Sequence, residues 1–260
     1  MVTQRINIIG VGGIPQVLKG DDLPELFVRA ALEQGDPFEE EDVLVVAQKV
    51  VSKAEGRLVS LHEIEPSDRA ISFAAESGKD PRMVELVLRE SRAVIREDPV
   101  RGILITETSH GHVCANSGID TSNVPGRDVA LLLPEDPDAS AMAIAGRVRA
   151  LAGIERLAVV IADTFGRPWR TGHANVAIGI AGLRPLIDYR GTEDVFGRVM
   201  RVTEMATADE VAGAAELVMG KAKGVPLAIV RGLAGELVGP PDDPMGVRPL
   251  LRDRESDLFR

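Results

Sequence analysis

The stretch LAVVIAD, from Leu157 to Asp163, consists of six apolar residues followed by an acid. A short, continuous apolar run that is rich in β-branched residues is typical of a strand buried on both faces of a sheet. The run VLVVA, from Val43 to Ala47, has the same character. The sequence therefore predicts two buried strands, and it places Asp163 at the carboxyl end of one of them.

Other segments predict further strands and helices around this pair. Strands are predicted for INIIGV, ILITET, ANVAIGIAG and PLAIVRG, which begin at Ile6, Ile103, Ala174 and Pro226. The glycines of ANVAIGIAG indicate the close approach of another backbone. Helices are predicted from capping residues, from prolines in first turns and from terminal glycines. They run from Asp22 to Gly35, after Pro66-Ser67, after Pro81, from Asp138 as the cap to about Leu151, and from Thr207, in a capping-box-like start, to Gly220.

The order of these elements predicts the fold class. Helices and strands do not alternate strictly along the chain, so we expect an α+β fold. We also expect two domains: a discontinuous first domain of residues 1–85 and 176–260, and an inserted second domain of residues 86–175 that carries the polar loops. The tail from Gly239 is rich in proline and charge, so it is predicted to be a surface arm or poorly ordered.

The composition narrows the classes of function. The chain has 260 residues, of which 45% are hydrophobic and 27% charged, as is ordinary for globular proteins. Its 40 acids and 30 bases give a net charge of -10, which argues against a nucleic-acid or anionic-membrane partner. A single cysteine, Cys114, no signal-peptide pattern and no apolar run of about 18 residues together predict a cytoplasmic protein.

Familiar phosphate-binding and catalytic motifs are absent from the sequence. GVGGIP begins like the dinucleotide-binding pattern, but Pro15 stands where the third glycine is needed. MGKAKG contains Gly220-Lys221 without the earlier glycine or the following hydroxyl residue of a P-loop. The C-x-x-C, H-E-x-x-H and G-x-S-x-G patterns do not occur either.

The segment ADTFGRPWRTG, which follows the buried strand, is the strongest candidate for chemistry. A carboxylate and a hydroxyl, such as those of Asp163 and Thr164, commonly hold Mg²⁺ beside phosphates. Arg167 and Arg170 follow in a glycine-flanked loop, and arginine suits phosphate or carboxylate. The alternative is an Asp-Thr turn with arginines on the surface.

Three further groups of polar residues each have two explanations. Lys49 and Lys53 are four residues apart, so on a helix they would either face an anion together or be solvated surface lysines. His110 and His112 would share one face of an extended segment as a candidate metal site, although isolated histidines are more often structural. Asp120 is the one acid of the long polar loop HVCANSGIDTSNVPG, which is either a surface turn or a loop built around a working carboxylate.

Six segments occur in the order in which they are found in one known family. They are GDDLPELF, VLVVAQKVVSKAEGRLV, NSGIDTSNV, LLLPEDPDASA, IADTFGRPWRTGHANVAIGIAGL and ATADEVAGAAELVMGKAKGVPLAIVRGL. The content and order of these segments resemble those of the coenzyme F-420:L-glutamate ligases, or F-420-0:gamma-glutamyl ligases, from about Ile6 to Leu233. The resemblance implies a two-domain α+β fold and an intertwined homodimer. It also implies a stand-alone ligase, without the C-terminal reductase domain of longer members.

The resemblance further implies an activity and a set of site residues. The family joins L-glutamate through γ-linkages to the precursor of the deazaflavin coenzyme, using GTP with Mg²⁺ or Mn²⁺ and K⁺. By this resemblance Asp120 and Asp163 would bind a first divalent metal, and Thr164 would help to hold a second. The residues that would line the nucleotide site are Ile14, Pro15, Gln16, Val17, Gln48, Lys49, Lys53, Asn123, Met219, Gly220, Lys221, Ala222, Lys223, Gly224 and Val225.

Two arginines, and one lysine that departs from the family pattern, lead to further expectations. Arg167 and Arg170 are candidates from their residue type alone, and we expect them to grip a substrate phosphate or carboxylate during catalysis. Archaeal family members carry an acidic metal ligand just after the Met-Gly pair, where this chain has Lys221. A charged lysine cannot bind a cation, so either the second metal is missing or the ammonium group replaces its charge.

The alternative functions are a related GTP-dependent ligase for another phosphate-bearing acid and an inactive nucleotide-binding regulatory protein.

Overall fold

The computed structural model describes residues 4–233, 235, 237–239 and 246–258. Its strands are β1 (Asn7–Val11), β2 (Asp42–Ala47), β3 (Leu58–Ser60), β4 (Ser91–Asp98), β5 (Ile103–Thr108), β6 (Val113–Ala115), β7 (Val129–Leu131), β8 (Leu157–Arg167), β9 (Arg170–Ala181), β10 (Ile187–Asp188), β11 (Glu204–Met205) and β12 (Leu227–Arg231). Its α-helices are α1 (Leu23–Gln34), α2 (Gln48–Ala54), α3 (Asp68–Ser77), α4 (Pro81–Arg89), α5 (Pro137–Ala152) and α6 (Thr207–Met219).

A central sheet with the strand order β1-β12-β2-β8-β9 organises the part of the chain that is described. β2 and β8 pair in parallel, with Val46 opposite Ile161, and the other pairs of the sheet are antiparallel. The two predicted buried strands are confirmed, and the structure places them side by side within the sheet. The mixed helices and sheets agree with the predicted α+β class.

Helices cover both faces of the central sheet, which is why its inner strands are apolar throughout. Leu44 and Val46 face α1 and α5, whose buried residues include Phe27 and Ile144. Val43 and Val45 point to the opposite face, where they pack with the buried alanines and Val211 of α6. Because successive strand residues alternate between faces, a strand between two helical layers must be apolar at every position.

Smaller sheets lie outside the central one. β4, β5 and β6 form an antiparallel sheet in which Leu104 packs with α3 and α4. β3 pairs with β7, and β10 pairs with β11. The predicted domains of residues 1–85 plus 176–260 and of residues 86–175 remain a prediction, and the central sheet draws strands from both of these segments.

The predicted ends of the helices are mostly confirmed. Asp22 accepts a hydrogen bond from the Glu25 N–H at 3.1 Å, and Gly35 ends α1 in a left-handed conformation. Helix α3 begins after Ser67, as predicted, α4 begins at Pro81 rather than after it, and α6 ends at Gly220, as predicted.

Two predicted caps are wrong. The cap of α5 is Asp136, which accepts from the Ala139 N–H at 3.0 Å, because Pro137 takes the first helical position. Asp138 lies inside the first turn, and its carboxylate accepts from the N–H groups of Ile180 and Val247. In α6, Thr207 is the first helical residue and does not cap through its side chain.

Two predicted loops also differ from the structure. The segment after Asp163 continues β8 to Arg167 and turns into β9, so the predicted loop is a hairpin whose turn contains Trp169 at a φ of 65°. The tail is folded where the structure describes it, because Val247 is buried and bonded to Asp138. The alternative of a poorly ordered tail is therefore wrong there, whereas the exposure of residues 252–256 agrees with a surface segment. Residues 240–245 and 259–260 lie outside the described residues.

Candidate active site

A cleft of about 390 Å³ opens where the parallel pairing of β2 and β8 ends. Ligand sites in sheets with parallel strands commonly lie beyond the carboxyl ends of those strands, because loops and helix starts converge there. The cleft is lined by residues 14–17, residues 47–50 with Lys53, Asn123, residues 162–164, Asn175, Glu216, residues 219–222 and residues 224–226. Segments that are far apart in sequence therefore meet in one place.

The cleft brings together most of the predicted nucleotide and metal residues. All of the predicted nucleotide residues except Lys223 line it, and so do Asp163 and Thr164. Asp120 lies beside it, in contact with the lining residue Lys49. Arg167 and Arg170 are exposed on the hairpin outside the lining, and the Arg167 guanidinium donates to the Thr171 carbonyl at 2.8 Å.

The Asp120 loop is held to α2 by Lys49. The Lys49 ammonium lies 2.5 Å from an Asp120 carboxylate oxygen and donates to the Ser122 hydroxyl at 2.6 Å. The Ser122 N–H in turn donates to Asp120 at 2.6 Å. Burial would raise the pKa of Asp120, but the hydrogen bonds from Lys49 and Ser122 outweigh burial and hold it below its ordinary value. Asp120 is thus ionised at neutral pH.

The pKa of Asp163 is shifted in the opposite direction from that of Asp120. Burial raises the pKa of its carboxyl group to about 6, although the Thr164 N–H and the Lys221 ammonium lower it. The negative charge of Asp120 adds to the rise, so the two carboxylates are close enough to repel each other. A cation placed between these groups would stabilise both charges.

A chain of hydrogen bonds orients the Thr164 hydroxyl. The Asn175 amide N–H donates to the Glu216 carboxylate at 3.0 Å, because a carboxylate can only accept. This turns the Asn175 carbonyl oxygen toward Thr164, whose hydroxyl donates to it at 2.6 Å. One lone pair of the hydroxyl oxygen accepts from the Lys221 ammonium, and the other remains for a cation.

Asn175 and Glu216 were missed by the sequence reasoning. Each is the one polar residue of its immediate surroundings, in ANVAIGIA of β9 and in AAELVM of α6. A polar residue within an apolar stretch was the available signal, since a buried polar group needs a partner.

Gln48 and Lys53, both on α2, line one side of the cleft. Gln48 is buried, and its amide nitrogen donates to the Ser52 hydroxyl at 2.8 Å and to the Leu132 carbonyl at 3.2 Å. Its side-chain oxygen has no hydrogen-bond partner in the described part of the chain. Burial, with the nearby Lys49 charge, lowers the pKa of Lys53. A bound phosphate group would place an opposite charge beside this ammonium group and so favour its charged form.

The donor set fits a divalent cation that is shared with a phosphate. No group of three or more His, Cys, Asp and Glu side chains among the residues described could hold a metal by itself. Mg²⁺, however, usually keeps one or two protein carboxylates and completes its shell with substrate phosphates and water. Asp120 and Asp163 would supply two carboxylate oxygens, and Thr164 would supply a hydroxyl oxygen whose own proton points to Asn175.

The histidine pair has a structural role in the described region. Burial lowers the pKa of His112 to about 4, and its ring packs edge-on against Phe165. One of its ring nitrogens lies 3.3 Å from the Ile178 carbonyl oxygen, and His110 lies 2.9 Å from the Glu135 carbonyl oxygen. The structural explanation of these two residues is therefore favoured over a metal site.

A search of the described helices for membrane spans found none that is long and apolar enough to cross a bilayer.

Comparison with known proteins identifies the family. The model of the F420-0:Gamma-glutamyl ligase family matches residues 12–232. The coenzyme F420:L-glutamate ligase of Methanothermobacter thermautotrophicus is 48% identical, over 98% of this chain and 99% of its own. The ligases of the same name from Methanopyrus kandleri and Methanocaldococcus jannaschii are 47% and 40% identical, over 94% and 99% of this chain and 94% and 98% of their own. The chain belongs to the F420-0:gamma-glutamyl ligase family.

Proposed function

We propose that this chain is an acid–amino-acid ligase that adds L-glutamate through γ-linkages to the precursor of the deazaflavin coenzyme F-420, with hydrolysis of GTP to GDP and phosphate. The observation that carries the proposal is the convergence, in one cleft, of five distant segments that the family resemblance assigns to the nucleotide and its metal. The long matches to ligases named for this reaction support the substrate.

The cleft suits a triphosphate in spite of the acidic net charge of the chain. Lys49, Lys53 and Lys221 all line it, and the ammonium groups of Lys49 and Lys221 contact Asp120 and Thr164 there. Asp120, Asp163 and Thr164 would hold Mg²⁺ or Mn²⁺ against the phosphates, and a bound cation of this kind stabilises the negative charge that develops during phosphoryl transfer. K⁺ is a further proposed cofactor.

The reaction divides into two transfers. An oxygen of the precursor carboxylate attacks the terminal phosphorus of GTP, and GDP leaves with the bridging oxygen. The amine of L-glutamate then attacks the carbonyl carbon of the acyl phosphate, inorganic phosphate leaves, and the amine gives up a proton as the amide forms. Phosphorylation is needed because a free carboxylate has no adequate leaving group. The lysines of the cleft neutralise the transferred charge in the first step.

Incubation with the precursor, GTP, Mn²⁺ and L-glutamate tests the proposal by mass spectrometry. We expect glutamyl additions and GDP release that requires both glutamate and the precursor. Asp120→Ala and Asp163→Ala should each reduce turnover by about 100-fold or more, because each removes a ligand of the metal that clamps the phosphates. Asp68→Ala, an exposed acid on α3, is the matched control.

The same assay separates the two alternative functions. A related ligase would turn over GTP only with a different phosphate-bearing acid. An inactive nucleotide-binding protein, which Lys221 at the position of an archaeal metal ligand would favour, would bind GTP without turnover under any of these conditions. Near-native turnover by either Asp variant at ordinary metal concentration would refute the assignment of the metal ligands.

A further inference from the structure

A second cavity, of about 250 Å³, lies between the C-terminal segment 246–258 and the sheet of β4, β5 and β6. Its charged lining consists of four arginines and two acids, besides His110. Of the residues described, none lines both this cavity and the cleft. We call it the arginine pocket, and its charged residues are Arg92, Arg248, Arg252, Arg254, Glu107 and Asp253.

Two of the four arginines form ion pairs with the two acids. Glu107 is buried, and the Arg254 guanidinium donates to its carboxylate at 2.6 Å. A buried carboxylate is costly unless it is paired, so this contact holds the C-terminal segment on the sheet. Arg248 donates to Asp253 and, at 3.0 Å, to the Leu251 carbonyl. These four charges are therefore engaged within the protein.

The other two arginines have little to neutralise them. Arg92 reaches Glu107 only at 3.9 Å, and 61% of its side chain is exposed. Arg252 makes no hydrogen bond or ion pair with any residue that the structure describes. Two guanidinium groups in excess around one cavity repel each other, in a chain whose overall charge is -10. An anion between them would relieve that repulsion.

We propose that the arginine pocket binds a phosphate dianion, either free or as the ester of a small molecule, between Arg92 and Arg252. Guanidinium groups match the oxygens of a phosphate with paired N–H donors, and two of them match its two charges. The cavity is larger than orthophosphate alone, so it also has room for a small ester. Such a ligand would bridge β4 and the C-terminal segment at a site separate from the cleft.

Calorimetric titration of the full chain with orthophosphate and with glycerol 3-phosphate, at constant ionic strength, tests the proposal. Arg252→Gln and Arg92→Gln should each weaken binding by about tenfold or more, because each removes a charge-assisted contact. Arg252→Lys should retain part of the affinity, since lysine keeps the positive charge but lacks the paired N–H donors of a guanidinium group. Equal affinities would assign free phosphate as the ligand, and tighter binding of glycerol 3-phosphate would assign an ester.

Two controls separate this site from others that attract anions. Arg29→Gln removes an exposed arginine of α1 and should leave binding unchanged. Lys53→Gln alters the cleft and should also leave this binding event intact. In hydrogen exchange, phosphate should protect the segment 246–258 and the turn at 110–111. The proposal is overturned if millimolar phosphate does not bind, or if binding is lost in Lys53→Gln and kept in Arg252→Gln.

Discussion

Burial raises the pKa of the Asp163 carboxyl group to about 6, although the Thr164 N–H and the Lys221 ammonium both lower it. A carboxylate whose pKa is higher in the folded than in the unfolded state destabilises the fold wherever it is ionised. A well-packed protein has no structural need for such a group, which fits a residue retained to bind a cation.

We predict that Asp163→Asn stabilises the metal-free protein at pH 7.5. The folded state holds the Asp163 proton more tightly, so the penalty is absent below about pH 4, grows between about pH 4 and pH 6, and is complete above about pH 6. In urea denaturation with EDTA, the variant should gain about 3 kcal/mol at pH 7.5 and match the wild type near pH 4. Asp68→Asn is the control. Equal stabilities at pH 7.5 would show that Asp163 carries no such penalty.

Lys221 leads to a second prediction at the residue scale. Its ammonium group donates to the Thr164 hydroxyl and lines the cleft. If it neutralises phosphate charge in place of a metal, Lys221→Ala should weaken GTP binding by about 1–3 kcal/mol, the range for hydrogen bonds to charged groups. Lys221→Glu should create a second metal site and make the rate depend more steeply on metal concentration.

Nucleotide titrations of the wild type and these variants check this role of Lys221. Lys19→Ala, which removes an exposed lysine next to Gly20, should bind GTP like the wild type. Indistinguishable affinities of wild type and Lys221→Ala, with two metals beside GDP in a crystal, would contradict the replacement of a metal by Lys221.

At the scale of elements, acids from two helices protect β9, the edge strand of the central sheet. Asp138 of α5 accepts from the Ile180 N–H at 2.8 Å, and Asp209 of α6 accepts from the Ala177 N–H at 2.9 Å. Burial raises the pKa of both carboxyl groups against the effect of these bonds. Unpaired N–H groups on an edge strand would otherwise invite pairing with another chain. The two helices therefore close the sheet through hydrogen bonds as well as apolar packing.

We predict that Asp138→Ala destabilises the fold more than Asp136→Ala does. Asp138 joins α5, β9 and the N–H of Val247, so its loss leaves two backbone donors unpaired and should cost about 2–4 kcal/mol. Asp136 only caps α5, which is worth about 1 kcal/mol. Urea denaturation gives both values, and hydrogen exchange should accelerate at Ile180 in Asp138→Ala alone. A larger loss in Asp136→Ala would refute this ranking.

At the scale of the whole molecule, several large apolar side chains are exposed on the segment between β10 and β11. The exposed fractions of Val195, Phe196 and Val202 are 93%, 86% and 85%, and Trp169 at the tip of the β8–β9 hairpin is 85% exposed. Apolar patches of this kind usually mark interfaces. The family resemblance implies an intertwined homodimer, so a second copy of the chain is the expected partner.

We predict that the protein is a homodimer in which this segment is buried. Light scattering at micromolar concentration should give about twice the mass of the chain, and Phe196→Asp should shift it toward the monomer because it would bury a charge. Val100→Asp, at a valine that is 92% exposed in the β4–β5 turn, is the matched control. An active monomeric wild type would exclude a shared interface as a requirement for activity.

Local patterns determined the buried strands, most helix ends and the family. LAVVIAD and VLVVA predict their burial because a strand covered on both faces must be apolar at every position. The close approach expected at the glycines of β9 is confirmed at Gly179, where a Cβ atom would overlap the backbone of Pro137. The ordered motifs also indicated most of the residues between Ile14 and Val225 that line the cleft, because they resemble a known family over a long, continuous stretch.

Only the tertiary structure decided which distant residues meet and which of two equivalent residues does a given task. Asp136 and Asp138 are both plausible caps in the sequence, and the position of β9 beside α5 gives Asp138 its other partners. The pairing of Asp120 with Lys49 and the orientation of Thr164 by Asn175 and Glu216 arise from contacts between separate strands and helices. The arginine pocket likewise exists only because the C-terminal segment folds back onto β4 and β5. Hydrogen bonds and charges act over a few ångströms in space, whereas sequence patterns report neighbours along the chain.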